Sequence, residues 1–222
     1  MGTERAPLTT TLITLTLAAG LGFGCAAPPK LRVDASVLER ITIENKLLLF
    51  DAENELNIAI DSRDQVVDEI EQIKEIVDRA RQKREVAIRD SEVFSDKGDA
   101  EKAKLAVLRA EALDARVTFL KAKLEWARQR LEKERAKLIV ARSQFELAKA
   151  QLVKKNNVPG ASDLELADFE SQVEDYKADV NEADEDIQEA AAEMQAKEQA
   201  WTETNKSLQA ASGGALGSQW LE

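Results

Sequence analysis

Apolar residues recur at alternating spacings of three and four along most of this 222-residue chain. The most regular series lies in the middle of the sequence, and Glu134 is its only member that is not apolar: Ala110, Leu113, Val117, Leu120, Leu124, Ala127, Leu131, Glu134, Leu138, Ala141, Phe145, Ala148 and Leu152. A sustained period of 3.5 residues gives a helix one apolar face that another helix must cover, with a left-handed supercoil. The pattern therefore predicts long helices packed side by side.

Two further series flank the central one. The C-terminal series contains Leu166, Phe169, Val173, Tyr176, Val180, Ala183, Ile187, Ala190, Met194, Lys197, Trp201, Thr204 and Leu208. The N-terminal series is less regular and contains Leu38, Ile41, Leu48, Ala52, Leu56, Ala59, Val66, Ile70, Ile73, Val77, Ala80 and Ala87. With 33% charged residues, 5% aromatic residues and four prolines, the composition also favours long helices. Trp126 and Trp201 are interpreted as packing residues, with a binding role as the alternative.

Glycine, proline and capping residues divide this body into three predicted helices. Gly98 and the Pro159-Gly160 pair are helix-stopping residues. Ser36 with Glu39, and likewise Ser162 with Glu165, have the spacing of a capping box at a helix start. The predicted helices are residues 36–95, 99–156 and 162–208, within a rod of residues 36–210 that precedes a flexible tail, residues 211–222.

Formal charge distinguishes the three predicted helices from one another. Helix one has 9 basic and 15 acidic residues, helix two has 15 and 8, and helix three has 3 and 15. Short connections make consecutive helices antiparallel neighbours, so the basic helix would contact both acidic ones. The fold prediction is all-α, an elongated antiparallel three-helix coiled coil. The alternative is that the charges only solvate outer helix faces.

A 17-residue uncharged run, Leu8 to Gly24, precedes the only cysteine, Cys25. A short start with one arginine followed by such a run has the layout of a secretion signal. The residues Leu21-Gly22-Phe23-Gly24-Cys25 resemble the lipobox of bacterial lipoproteins, although that family usually has Leu, Val or Ile where Gly22 stands. The prediction is a signal peptide, residues 1–24, and a lipidated tether, residues 25–35.

The lipoprotein resemblance implies a specific chemistry at Cys25. The cysteine sulfur would carry diacylglycerol and the new amino terminus an acyl chain such as palmitate, with no other cofactor. Ala26 after the cysteine, where the family uses Asp for inner-membrane retention, implies the outer membrane and a protein facing the periplasm. Three alternatives remain at this stage: an uncleaved membrane helix, ordinary cleavage near Cys25, or a cysteine that is simply a small core residue.

Several kinds of chemistry are excluded by composition. The chain has no histidine, so histidine-based catalysis and imidazole metal sites are ruled out. One cysteine allows neither an intramolecular disulfide nor a Cys-based zinc motif. A net charge of −11 argues against nucleic-acid binding. The acidic run Asp184-Glu185-Asp186 is interpreted as a solvated face, so no enzyme activity and no metal site are predicted.

Residues 138–189 are similar to the α-helical hairpin of periplasmic adaptor proteins of export systems. The similarity lies in the run from Ala141 to Leu152, the turn at Pro159-Gly160 and the run from Ser162 to Asp168. In that family an Arg, a Leu and a Ser at the hairpin tip dock on an outer-membrane channel. Leu152 and Ser162 match two of these positions, Ala148 stands in place of the Arg, and the adaptor's flanking domains are missing.

The predicted function is that of a lipid-anchored scaffold or spacer between envelope proteins. Lys30 and Arg32 would meet Lys154 and Lys155 near the membrane and form a basic rim that touches lipid phosphates. Trp220 and Leu221, after a glycine-rich linker, form a candidate docking peptide for an unknown partner. A homo-oligomeric subunit of an efflux-type complex is the first alternative function, and a carboxylate-rich enzyme or metal-binding protein is the second.

Overall fold

The computed structural model describes residues 29–161 and 163–216, apart from the side chain of Leu48. The elements are α1 (Ala35–Leu38), α2 (Ile43–Lys46), a 3-10 turn (Leu47–Leu49) and three long helices, α3 (Phe50–Asp96), α4 (Ala100–Lys155) and α5 (Leu166–Ala211). In the described ranges the chain has no strand. The all-α prediction is confirmed.

The three long helices form an up-down-up arrangement with α4 in the middle. At 1.5 Å per residue, α3, α4 and α5 are about 70, 84 and 69 Å long. Extensive packing joins α3 to α4 and α4 to α5, whereas α3 and α5 make little direct contact within the described residues. The molecule is therefore two antiparallel helix pairs that share α4.

The predicted apolar series form the contacts between these helices. One buried cluster joins α3 to α4 and contains Val66, Ile70, Ile73, Val77, Ala80, Val117, Leu120 and Ala127. In α5 every residue of the predicted series is at least partly buried, including the polar Lys197 and Thr204. Burial of these apolar series, which have a period of 3.5 residues, explains why helices of this length are stable without a sheet.

The first predicted helix is shorter in the structure. Residues 36–95 were expected to be one helix, but the continuous helix begins only at Phe50. The first short helix is capped by Asp34, which accepts a hydrogen bond from the Ser36 backbone N–H at 2.8 Å, so Ser36 is not the cap. The run Ile41-Thr42-Ile43 is β-branched and weak in helix propensity. Ile41 is instead buried against the α4–α5 turn.

The two turns lie close to their predicted positions. Gly98, at φ 72°, follows α3, and the Asp99 side chain caps α4 by accepting the Lys102 backbone N–H at 3.2 Å. The side-chain hydrogen bond from Lys102 lowers the pKa of the Asp99 carboxyl from its ordinary value. At the other turn Asn157 and Gly160 have positive φ. There α5 begins at Leu166 after Glu165, and Ser162 lies outside the described residues.

Opposite charges meet across both helix pairs. Between α3 and α4, Glu69 pairs with Arg130 at 2.6 Å, Asp90 with Arg109 at 3.6 Å, and Arg84 with Asp114 at 2.7 Å. Between α4 and α5, Lys133 pairs with Asp184. In three of these four pairs α4 supplies the cation, as its net positive charge predicts. Each pair is partly exposed, so it contributes about 1 kcal/mol or less.

Candidate functional site

Residues 29–49, named the strap, cross the end of the helix bundle where α4 meets α5. The Leu31 backbone N–H donates to the Gln172 side-chain oxygen at 2.8 Å. Arg40 donates to the Pro159 carbonyl at 3.2 Å, and the Asn45 amide donates to the Asn156 side-chain oxygen at 2.8 Å. The strap thus binds α4, the α4–α5 turn and α5.

Apolar burial reinforces this attachment. Val33 and Ile41 of the strap belong to a buried cluster with Ala150, Leu152, Val153, Val158, Ala161 and Phe169. This cluster is separate from the one that joins α3 to α4. The strap end of the rod therefore has a small core of its own, which fixes where the preceding chain leaves the bundle.

Glu146 is the polar anchor of the strap. One of its carboxylate oxygens accepts the Val33 backbone N–H at 2.9 Å, and the other pairs with the Lys149 ammonium at 2.6 Å. Both charged side chains are largely buried, with 10% and 14% of their surface exposed. A buried carboxylate needs such partners, because desolvating an unpaired charge is costly. Sequence analysis missed Glu146, since it looks like any other helix-surface acid.

The structure places the four predicted rim residues at the strap end. Lys30 and Arg32 are exposed on either side of Leu31, whose backbone bonds to Gln172. Lys154 and Lys155 lie in the last turn of α4, next to Val153 in the same buried cluster as Val33. All four cations are therefore on the same end of an acidic rod.

An apolar stripe of three residues lies at the same end. Ile43, Leu47 and Phe50 follow one another at helical spacing and are 75%, 69% and 66% exposed. Ile41, before α2, and Leu49, in the 3-10 turn, pack into the strap cluster, so residues 41–50 have both covered and uncovered apolar side chains. Nothing in the sequence series distinguishes the covered from the uncovered side chains before the packing is known.

An open groove of about 530 Å³ lies where α3 and α5 diverge over α4. Its floor and walls include five apolar residues, which are Ile58, Ala59, Val140, Ala141 and Val180. Charged residues from all three helices form the rim, among them Glu55, Lys137, Glu174 and Lys177. The groove exists because α3 and α5 approach α4 from different sides and leave its front face uncovered.

A series of basic residues recurs along α4. Its members are seven residues apart: Lys102, Arg109, Arg116, Lys123, Arg130 and Lys137. Arg130 and Arg109 pair with α3 carboxylates, Arg116 lies over the Trp201 ring of α5, 5.8 Å from its centre, and Lys137 lines the groove. Arg109, Arg116 and Arg130 therefore bring positive charge to the contacts with the two acidic flanking helices. The strict seven-residue spacing of the series is a sequence signal that the search for apolar series overlooked.

The two described tryptophans are packing residues. Trp201 of α5 stacks on Phe119 of α4, with ring centres 5.4 Å apart and an angle of 5° between the planes. Trp126 lies under the Arg130 guanidinium, 4.7 Å from its ring centre. Burial, with a smaller effect of nearby Arg79, lowers the pKa of Arg116 beside this stack. Trp126 also packs against the buried cluster that joins α3 to α4, so both rings are parts of helix interfaces.

The remaining predicted site residues, Cys25, Trp220 and Leu221, lie outside the described residues. Among helices of the described part, none is both long enough and apolar enough to span a bilayer. The same ranges contain no group of three or more acidic, cysteine or histidine side chains arranged to hold a metal ion. Within the acidic run, Asp184 is engaged by Lys133.

Comparison with known proteins gives no relative for this chain. No family model matches the sequence, and neither the curated proteins nor the solved structures contain a match. The candidate site is therefore defined by its own geometry: a basic rim, an apolar stripe and the start of the described chain, all at one end of a long helical rod.

Proposed function

We propose that this protein is a lipid-anchored spacer or scaffold of the bacterial cell envelope, attached to the outer membrane through Cys25. The observation that carries the proposal is the position of the strap. Pro29, the first described residue, is buried at the end of the rod that also carries Lys30, Arg32, Lys154 and Lys155. Four residues span at most about 14 Å, so an acyl chain on Cys25 would be held close to this end of the rod.

The helix order gives the proposed spacer its geometry. From the strap end α3 runs away, α4 returns and α5 runs away again, so the tail with Trp220 and Leu221 follows from the opposite end. A rod about 84 Å long, the length of α4, would separate the membrane from a partner bound there. We propose that the helices supercoil as a three-helix coiled coil, as the 3.5-residue period predicts.

The proposed anchor is tested by replacing Cys25 with Ser in the full chain. The unaltered protein is expected to incorporate radioactive palmitate in a bacterial host and to fractionate with the outer membrane. The Cys25→Ser chain is expected to lose the label completely. It should also be released from the outer-membrane fraction, since a lipid anchor needs the sulfur. A matched Ser36→Cys change in the Cys25→Ser chain should not restore the label. Unchanged labelling and fractionation of Cys25→Ser would contradict the anchor.

The groove favours a second candidate, an oligomeric coiled-coil subunit of an envelope complex. The groove would bind the apolar face of a helix from another copy. Ile58 and Val180 on its two walls, with Val140 on the floor, would contact that helix. The Cys25→Ser chain should then sediment as an oligomer. The same chain with Ile58→Ser and Val180→Ser added should sediment as a monomer. An analytical ultracentrifugation profile in which the starting chain is monomeric at all concentrations would refute this candidate and leave the anchored spacer standing.

A further inference from the structure

The strap is bent at a point where the sequence has no helix-stopping residue. The two turns between the long helices carry glycines with positive φ, Gly98 and Gly160, but residues 35–50 contain neither glycine nor proline. The apolar series of α3 also continues through this segment, where its members are Leu38, Ile41 and Leu48. Residues close together in the sequence therefore favour one continuous helix from about residue 36 onward.

The bend lies at Ile41 and Thr42. Backbone hydrogen bonds of the α1 turn reach the Ile41 N–H, and those of α2 begin at the Thr42 carbonyl, which accepts the Lys46 N–H at 3.1 Å. Thr42 is extended, with φ −62° and ψ 153°, and its side chain makes no capping hydrogen bond. Rotating the two bend residues into the helical range would join α1 to α2. It would also give the N–H groups of residues 42–45 helical carbonyl partners.

Contacts with α4, α5 and their turn hold the strap in its bent form. Ile41 is buried there, and the Val33 N–H bonds to Glu146, which lies about two and a half turns before the end of α4. Val33 therefore docks beside the rod. A helix continued from Phe50 back to residue 35 would instead extend about 22 Å past the start of α3, where Val33 cannot reach Glu146. The docked strap and the continuous helix exclude each other.

We propose that the strap is a two-state switch with its hinge at Ile41 and Thr42. In one state the strap is docked, and in the other it is released and α3 continues towards the N-terminus to about residue 36. Release exchanges the strap contacts for helical hydrogen bonds and leaves the cluster between α3 and α4 intact. One consequence rests on the proposed function: with Cys25 anchored, release lengthens the spacer by roughly 20 Å. Tension between the anchor and a distal partner would favour this longer state.

Two spin labels distinguish the states of the strap. In the full-length Cys25→Ser chain, the exposed residues Ser36 and Asp61 are replaced by Cys and labelled, and double electron–electron resonance measures the distance between the labels. A continuous helix places them about 37 Å apart in a narrow distribution. The docked strap gives a shorter distance, because Val33 is held beside the rod by Glu146. Glu146→Ala is expected to raise the 37 Å population at least about tenfold.

Ile43 offers a matched pair of control variants, because its side chain is 75% exposed. Ile43→Pro fits the docked state, since proline suits the first residue of α2 and the extended Thr42 before it, but it breaks a continuous helix. Added to Glu146→Ala, Ile43→Pro should abolish the 37 Å population, whereas Ile43→Ala should retain it.

Three results would overturn the switch. They are a Glu146→Ala chain that shows only the docked distance, a broad distribution typical of a disordered strap, and a 37 Å population that Ile43→Pro and Ile43→Ala affect equally. Because every chain in this test lacks Cys25, failure of the switch leaves the lipid anchor intact. Failure of the anchor in cells likewise leaves the switch intact.

Discussion

Replacing Leu138 with Ala is expected to lower the free energy of unfolding by about 2–5 kcal/mol. Leu138 is 0% exposed and is the largest fully buried side chain among the described residues. It lies in the C-terminal half of α4, the helix that both other long helices contact. Removing its branched end leaves a cavity that rigid, antiparallel helices cannot close, so both the transfer free energy and the packing are lost. The melting temperature should fall by about 5–15 °C.

The matched control is Leu47→Ala, the same chemical change at a residue that is 69% exposed. Its effect on the free energy of unfolding in solution should stay within about 0.5 kcal/mol. Urea denaturation followed by circular dichroism at 222 nm measures both variants on one scale. Equal losses in the two variants would mean that α4 is not packed on both sides as the structure describes.

Periodicity predicted the helix interfaces because it depends only on neighbours along the chain. Val117 and Leu120 of α4 and Val173 of α5 were assigned to covered faces from spacing alone, and all three are buried. The second turn could also be predicted from the sequence, since Asn157 and Gly160 adopt the positive φ that such residues favour. These features depend only on residues close together in the sequence, so a single sequence is enough to predict them.

The strap could not be predicted in the same way. Leu38 and Ile41 fit the helical series, but Ile41 is buried under Val158, more than a hundred residues away, and Arg40 bonds to the Pro159 carbonyl. Tertiary contacts between residues so far apart in sequence override a local helical pattern. The pattern itself does not indicate these contacts. The groove also depends on tertiary packing, because residues of α3, α4 and α5 line it together. Charge predicted correctly that α4 lies between α3 and α5, but it does not set the angle at which they approach.

The anchor at Glu146 leads to the second large expected effect. Glu146→Ala removes the acceptor of the Val33 backbone N–H and leaves the Lys149 ammonium without its carboxylate partner. Breaking one side of a buried ion pair costs about 3–5 kcal/mol, so the strap should detach more readily than it does in the unaltered chain. Amide hydrogen exchange at Val33 and Leu31 should speed up by about two orders of magnitude, because local opening then competes with the strap contacts.

Two further variants separate the contributions of charge, hydrogen bonding and burial to the effect of Glu146→Ala. Glu146→Gln keeps a side-chain oxygen for the Val33 N–H but removes the charge, so its loss should be smaller than that of Glu146→Ala. Glu174 and Lys177 form an ion pair of the same spacing and nearly the same length, 2.7 Å, but with 70% and 48% of their side chains exposed. Glu174→Ala should therefore cost less than about 1 kcal/mol. If Glu146→Ala and Glu174→Ala were equally mild, the strap would be held by apolar burial alone, and the position of Pro29 at the strap end of the rod would depend on Val33 and Ile41 rather than on Glu146.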